Sequence, residues 1–353
     1  MNHAKRLERL TGDLERPLLV TSLANIRYLT GFTGSSGYLF VTPEGSTFVT
    51  DGRYGEVASA LVAGLTATNL VVYSAGLPDR LAETIGSAPA VDLEAAHVSW
   101  DFVRQLQAAS GAELTAATGV VESYRVVKDT DEIAALRSAA LAGDAAFTAL
   151  DALRMGAATE GELGDGLVST MKVAGGDQAG WPPIVATGPN AARPHHRAGD
   201  DKLGDGVLLL DYGCVVDGYH SDMSRTVWVG GDVEDEVAAV HAAVLEANEE
   251  GIAAVAPGVE AGAVDAVCRD VLRRHGYEEH FLHSTGHGVG LDIHESPAVR
   301  RGSEEVLAPG QVITIEPGVY LPGRFGVRIE DMVLVTEAGH EVLTTSSKEL
   351  EPA

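Results

Sequence analysis

The sequence predicts two domains, a mixed α/β module followed by an α+β domain, with the boundary at residues 125 and 126. Three observations carry this expectation. The chain has 353 residues, whereas one domain ordinarily takes roughly 100–200. Residues 17–73 alternate short β-branched runs with turn residues, and Ala-rich amphipathic stretches separate the later runs. Near Lys128 the pattern changes to long helical periodicities alternating with strand-rich blocks.

In order along the chain, Pro17-Leu-Leu-Val-Thr, Tyr38-Leu-Phe-Val-Thr and Thr47-Phe-Val-Thr read as strands closed by turn signals. Helical stretches around 56–64, 78–86 and 99–110, with a strand at Asn69-Leu-Val-Val-Tyr, complete an α/β module that ends near residue 122. Asp129 or Thr130 can then cap a long helix whose first turn carries Asp131 and Glu132. Its apolar stripe runs through Ile133, Leu136, Ala140, Phe147 and Leu150. Thr159 and Glu162 form a capping-box pattern ahead of a helix through Leu163, Leu167 and Met171. Val237, Val240, Val244 and Leu245 mark a third helix, and Val264, Val267, Val271 and Leu272 a fourth. Strand-rich blocks at 206–230 and 311–336 alternate with these helix pairs, a layout compatible with a pseudo-repeat although no residue-level period is visible.

Composition narrows the function. The chain holds 25 Lys and Arg against 51 Asp and Glu, a net charge of −26, which repels phosphate backbones and anionic lipid surfaces. Neither nucleic acid nor a membrane is expected as a partner. No apolar run reaches the 18 residues a membrane span needs, and the N-terminus leads into no signal-like stretch, so a cytoplasmic location is expected. The two cysteines, Cys214 and Cys268, support neither a disulfide framework nor a cysteine zinc site and are expected to pack as small apolar residues.

The chemistry lies in the second half. Two apolar runs flank Asp217-Gly218, a strong two-residue hairpin signal. Counting outward from that turn sets residue 216 opposite 219 and 211 opposite 224, so Asp211 and Asp222 share a face as diagonal neighbours. Their backbones then lie roughly 7–8 Å apart, a gap that side chains can close onto cations roughly 3.5–4 Å apart. In the block from Gln311 to Val335, Glu316 and Glu330 are equidistant from Gly323 of the turn Pro322-Gly323, so an antiparallel connection sets them opposite each other. Between the two hairpins, His283, His287 and His294 sit in a glycine-rich segment. Any one of these residues alone reads as solvated surface or a satisfied structural group. Together, the alternative to a metal site is a set of uncompensated buried charges. Four carboxylates and one imidazole suit manganese, cobalt, iron or zinc better than magnesium or calcium.

With these residues in view, the chain resembles the M24 "pita-bread" metallopeptidases, in their prolidase and aminopeptidase P branch. The segment from His283 to Glu295, the Asp211 and Asp222 pair, and Glu316 with Glu330 carry the resemblance, and Asn25-Ile-Arg-Tyr-Leu-Thr-Gly-Phe and Tyr124-Arg-Val-Val-Lys-Asp extend it to the N-terminal half. It implies a creatinase-type α/β domain over 1–125 and an α+β pita-bread catalytic domain over 126–353. It also implies Asp211, Asp222, His287, Glu316 and Glu330 as ligands of two divalent ions (manganese, zinc or cobalt), with Asp222 and Glu330 bridging. Glu316, His294, His283 and Arg328 are implied in catalysis, with Glu316 taking a proton from the attacking water. His195, His283, His294 and Arg328 are implied in substrate binding, with His196 an alternative to His195 and pairing with Glu330 an alternative for Arg328. The implied activity is hydrolysis of the bond before proline, either in Xaa-Pro dipeptides or at the N-terminus of longer peptides, by a homodimer.

Other readings fit less well. A non-catalytic pita-bread binding module would be expected to lack ligands and carry a basic face. A metal-free creatinase-like hydrolase does not need the complete ligand set, and a methionine aminopeptidase does not match the N-terminal domain. The glycines at 286, 288 and 290 miss the G-x-G-x-x-G spacing, and no G-x-S-x-G elbow is present.

Overall fold

The computed structural model describes residues 1–350. The chain forms two compact units, Met1–Arg125 and Val126–Ala353. In the first, the order is α1 (His3–Asp13), β1 (Leu18–Val20), α2 (Leu23–Thr30), β2 (Gly37–Thr42), β3 (Gly45–Asp51), α3 (Gly55–Val62), β4 (Thr68–Tyr73), α4 (Leu77–Ile85), β5 (Ala90–Glu94), α5 (Trp100–Ser110), β6 (Glu113–Ala117) and α6 (Glu122–Arg125). The strands make one sheet in the order β4-β3-β2-β1-β5-β6. Strands β1, β2 and β3 are joined as antiparallel neighbours, while β4, β5 and β6 add in parallel after crossover helices. Leu19, Phe40, Val49, Leu81, Val91 and Leu106 fill the space between sheet and helices.

The helices α1 and α2 are absent from the sequence reading, which treats residues 17–73 as strands and turns up to the first Ala-rich stretch. In α2, Ser22 caps the first turn by accepting from the Asn25 amide, and Gly31 stops the helix at φ 79°. The polar Asn25 and Thr30 are buried beside Ile26, Tyr28 and Leu29, so α2 shows no clean apolar face at a 3.6-residue period.

The second unit opens with α7 (Thr130–Thr148), α8 (Leu150–Gly156) and α9 (Glu160–Val173). Asp129 accepts from the Glu132 amide while Glu132 accepts from the Asp129 amide, both at 2.9 Å, a reciprocal cap. The stripe expected to continue through Leu150 breaks at Ala149, where α7 and α8 are bent by 55°. At α9 the cap is only half a box. Thr159 accepts from the Glu162 amide, but Glu162 reaches back to the Ala158 amide, one residue before the cap. Among the described residues, no single helix is long and apolar enough to cross a membrane.

There follow β7 (Gln178–Ala179), β8 (Ile184–Thr187), β9 (Gly206–Tyr212), β10 (Cys214–Val216), β11 (Tyr219–His220), β12 (Met223–Val229), α10 (Asp235–Ala253), α11 (Ala261–Arg274), β13 (Gly286–Gly288), β14 (Glu295–Val299), β15 (Val312–Ile315), β16 (Gly318–Leu321), β17 (Phe325–Arg328), β18 (Asp331–Thr336) and β19 (Gly339–Val342). The first hairpin has the register counted from its turn: Val216 faces Tyr219 and Asp211 faces Ser224. Asp217 and Gly218 both lie at positive φ, 50° and 81°, as a two-residue turn between twisted strands requires. The second hairpin keeps one register through two ladders, with Gly318 facing Arg328 and Ile315 facing Asp331. Glu316 and Glu330 fall in the gap between those ladders.

Strand β9 is buried on both faces. Leu208 and Leu210 pack with Phe147, Leu163, Leu167 and Met171 of α7 and α9, whereas Val207 and Leu209 join Val240, Val244, Val264 and Val271 of α10 and α11 in the larger core with Ile313, Ile315 and Val327. Asp211 alternates with Leu210 and therefore points to the side of the second hairpin. Cys214 and Cys268 are buried free thiols within these cores.

Candidate metal centre

The two hairpins bring Asp211, Asp222, Glu316 and Glu330 to one cavity of about 480 Å³. His195, His283, His287, His294 and Arg328 line the same cavity, together with Trp181, Ile184, Ile293 and Arg300. Asp222 and Glu330 are 5% and 1% exposed. Ligand atoms of Asp222, His287 and Glu330 all lie within 4.8 Å of one another.

His287 sits on β13, squeezed between β14 and β15. A Cβ on Gly286 would lie 1.9 Å from the Thr314 carbonyl oxygen, and one on Gly288 would lie 2.1 Å from that of Ser296. Only glycine lets the strand pass so close. The His287 Nδ1 contacts the Gly288 carbonyl at 2.9 Å, which makes it the protonated nitrogen and leaves a lone pair on Nε2. That lone pair faces Asp222 Oδ2 at 3.5 Å and Glu316 Oε1 at 3.6 Å. Burial holds the His287 ring well below the usual histidine range, at about 4, so it is neutral near pH 7.

The carboxylates repel one another. Burial pushes Asp222 well above the usual range, and Asp211 and Glu316 push it further. Glu330 is raised by burial and then by Asp222, Glu316 and Asp211. Glu316 is pushed up to about 8, chiefly by burial, with Arg328 opposing and Asp211 adding. A neutral imidazole whose lone pair faces carboxylate oxygens, among four acids in one pocket, is an arrangement that a divalent cation satisfies and protons satisfy poorly. The residues fit a mostly oxygen metal shell.

Arg328 is a cation inside this acidic pocket, 3% exposed. Its fork is fully engaged: Nη2 donates to Asp211, Nε to the Ser224 hydroxyl at 2.8 Å, and Nη1 to the Tyr320 hydroxyl at 2.6 Å and the Pro194 carbonyl at 3.4 Å. The partner considered from sequence, Glu330, is instead held by the Ser224 hydroxyl at 2.9 Å. His283 lines the cavity with both ring nitrogens occupied, Nδ1 by the Ser284 carbonyl and Nε2 by the Tyr320 hydroxyl, each at 2.8 Å. Burial, and then Arg328, hold its ring at about 3. His294 stacks edge-on against His287, with ring centroids 4.4 Å apart, and is exposed toward the cavity. His195 is exposed on the cavity wall, whereas His196 turns inward to Glu160 at 2.6 Å.

Ser224 and Tyr320 are absent from the sequence reading, yet the register contained both. Ser224 stands opposite Asp211, and Tyr320 lies two residues along from the partner of Arg328 on the same strand face.

Comparison with known proteins places the chain in a family. Residues 134–337 match metallopeptidase family M24, and residues 15–127 match the creatinase/prolidase N-terminal domain. A Xaa-Pro dipeptidase of Pyrococcus furiosus is 31% identical over 354 aligned residues, covering 98% of this chain and 99% of its own. The solved structure of a Xaa-Pro dipeptidase from Bacillus anthracis superimposes with a TM-score of 0.93 at 33% identity, covering 99% of both chains. An X-Pro aminopeptidase from Thermotoga maritima gives 0.86, also at 33% identity, over 98% of this chain and 99% of its own. The chain belongs to metallopeptidase family M24, with a creatinase/prolidase N-terminal domain ahead of the peptidase domain.

Proposed function

We propose that the protein is a metal-dependent exopeptidase that hydrolyses the Xaa-Pro bond, acting on Xaa-Pro dipeptides. The observation that carries this is the convergence of four carboxylates and a neutral imidazole lone pair in one cavity of about 480 Å³. Asp211, Asp222, His287, Glu316 and Glu330 would hold two divalent ions, with manganese, zinc or cobalt the candidates. Such ions, when bound, make a nucleophile available at neutral pH and polarise a carbonyl.

The protein's own groups do the rest. Glu316 takes the proton of the attacking water, and the exposed His294 imidazole donates to the oxyanion as it develops. His283 reaches substrate only by exchanging its Tyr320 partner, so its part in the resting site is to hold Tyr320 against Arg328. Arg328 in turn fixes Asp211. An imide nitrogen before proline carries no N–H, so recognition falls to ring packing, for which Trp181, Ile184 and Ile293 offer apolar walls. The role of substrate contact is assigned to His195, because it lines the cavity and is exposed there. Arg300 at the cavity has a guanidinium with no ion pair among the described residues and suits the free carboxylate of a dipeptide.

A second reading, an aminopeptidase trimming longer peptides, is favoured by the similarity to the Thermotoga maritima enzyme. Free buried thiols and a net charge of −26 support a reducing, cytoplasmic setting without nucleic-acid or membrane partners, and the family resemblance supports a homodimer. The test is hydrolysis of Ala-Pro and Ala-Pro-Ala by enzyme stripped of metal and reloaded with manganese, zinc or cobalt. Asp222→Asn is expected to abolish the metal-dependent rate on both substrates, and full retained activity would refute the site.

A further inference from the structure

The cavity wall that presents His195 is held by a carboxylate outside the metal-facing set. Glu160, the first residue of α9, is fully buried. Its Oε1 accepts from the Thr187 amide at 2.8 Å, the Thr187 hydroxyl at 3.2 Å and the Asn190 amide group at 2.9 Å, and its Oε2 meets His196 Nε2 at 2.6 Å. These partners span the segment from the end of β8 to His196. Glu160 is itself tethered, since its amide donates to the Asp201 carbonyl and that of Gly161 to the Gly199 carbonyl, both at 2.9 Å. The segment is thus pinned to α9 at its start, middle and end.

His195 stands between two fixed neighbours. The Pro194 carbonyl is held by Arg328 at 3.4 Å, and the His196 ring by Glu160. Drawing His196 inward leaves the adjacent side chain to face the cavity, so the choice between two consecutive histidines is made by Glu160. A cation between Glu160, His196 and Asp201, whose donor atoms lie within 4.8 Å of one another, is the competing use of this cluster. It would have to displace hydrogen bonds that already satisfy both Glu160 oxygens.

We propose that Glu160 is a positioning residue that, through His196, Asn190 and Thr187, sets His195 against the substrate. The inference rests on the reading of the cavity as a peptidase site. Replacing Glu160 by Gln keeps the volume but trades one carboxylate oxygen for an NH2 group, so Thr187 and Asn190 keep their acceptor only if the His196 ring turns from donor to acceptor, and a bond to a carboxylate gives way to a weaker one to a neutral amide. For Glu160→Gln, kcat/KM on Ala-Pro is expected to fall about ten-fold, the scale of lost outer-sphere support, with the change in KM and kcat nearly kept. His196→Gln, which leaves Glu160 in place, is expected to raise KM in the same way and serves if the first variant does not fold. In a His195→Ala background, Glu160→Gln is expected to change kcat/KM less than about two-fold, because the two residues act as one unit. Independent, multiplying effects overturn the proposal, as does loss of a metal equivalent in Glu160→Gln, which would make the cluster a cation site. Amide hydrogen exchange across residues 187–196 supplies a readout independent of activity. It is expected to quicken in Glu160→Gln while segments around Asp211 and Asp222 keep their protection, and unchanged exchange overturns the proposal. If the wild type cleaves no Xaa-Pro substrate, the functional reading fails by itself and the exchange measurement still decides whether Glu160 holds the loop.

Discussion

Arg328 places a permanent positive charge among four acids, and what it does follows from its shape as much as its charge. A planar fork can serve Asp211, Ser224 and Tyr320 at once, whereas an ammonium is a single point on a flexible stem. Arg328→Lys should keep the charge but lose the simultaneous grip, so Asp211 is left free to swing. The expected outcome is a fall of about 10–100-fold in kcat/KM, with weaker metal retention when the enzyme is dialysed against chelator and its metal content measured. Unchanged kinetics and metal content would show that charge alone matters at this position. Sequence reasoning reached the presence of Arg328 in the site by resemblance but left its partner open. Its true partner, Asp211, lies 117 residues away, a pairing that depends on how the two hairpins meet and not on either hairpin alone. Glu160 escaped notice for a related reason, since its partners lie 27 to 36 residues downstream, from the last residue of β8 into a stretch with no strand or α-helix.

At the level of elements, β13 shows how glycine and metal chemistry are joined. Its neighbours approach so closely that a methyl on Gly286 would overlap the Thr314 carbonyl, whose residue also receives the His287 amide through its hydroxyl at 3.1 Å. Gly286→Ala must therefore push β13 off β15 and carry His287 with it. Metal affinity is expected to drop at least about ten-fold in titrations of the metal-free protein, while circular dichroism stays that of a folded chain. Wild-type affinity in Gly286→Ala would remove the constraint. The hairpins themselves were legible because Asp217-Gly218 and Gly323 are fixed points from which register can be counted, and a period of two leaves no freedom to slip. The helices α1 and α2 were not, since α1 buries only two large apolar residues, Leu7 and Leu10, and α2 buries the polar Asn25 and Thr30 beside its apolar ones, and the bend at Ala149 was hidden because an unbroken apolar stripe looks the same in sequence whether or not the helix turns.

For the whole molecule, the cost of assembling this pocket should show as a coupling between metal, pH and stability. Glu316 has a folded pKa of about 8 against an ordinary 4.5, raised chiefly by burial, and Asp222 and Glu330 are shifted the same way. A carboxyl raised by folding binds its proton more tightly in the native state. Its contribution to stability is therefore full below pH 4.5 and is lost as pH rises through 8. Metal-free protein should accordingly forfeit this contribution across that window, because the acids must ionise side by side. A divalent cation takes the place of those protons, and it competes with them less as pH rises. The rise in Tm on adding saturating manganese or zinc is thus expected to be small at pH 5 and to grow toward pH 8. Differential scanning fluorimetry of stripped and reloaded protein across this range measures it directly, with Asp222→Asn as the control in which the growth is blunted. An equal rise in Tm at both pH values would mean that the cations bind somewhere other than the four converging carboxylates.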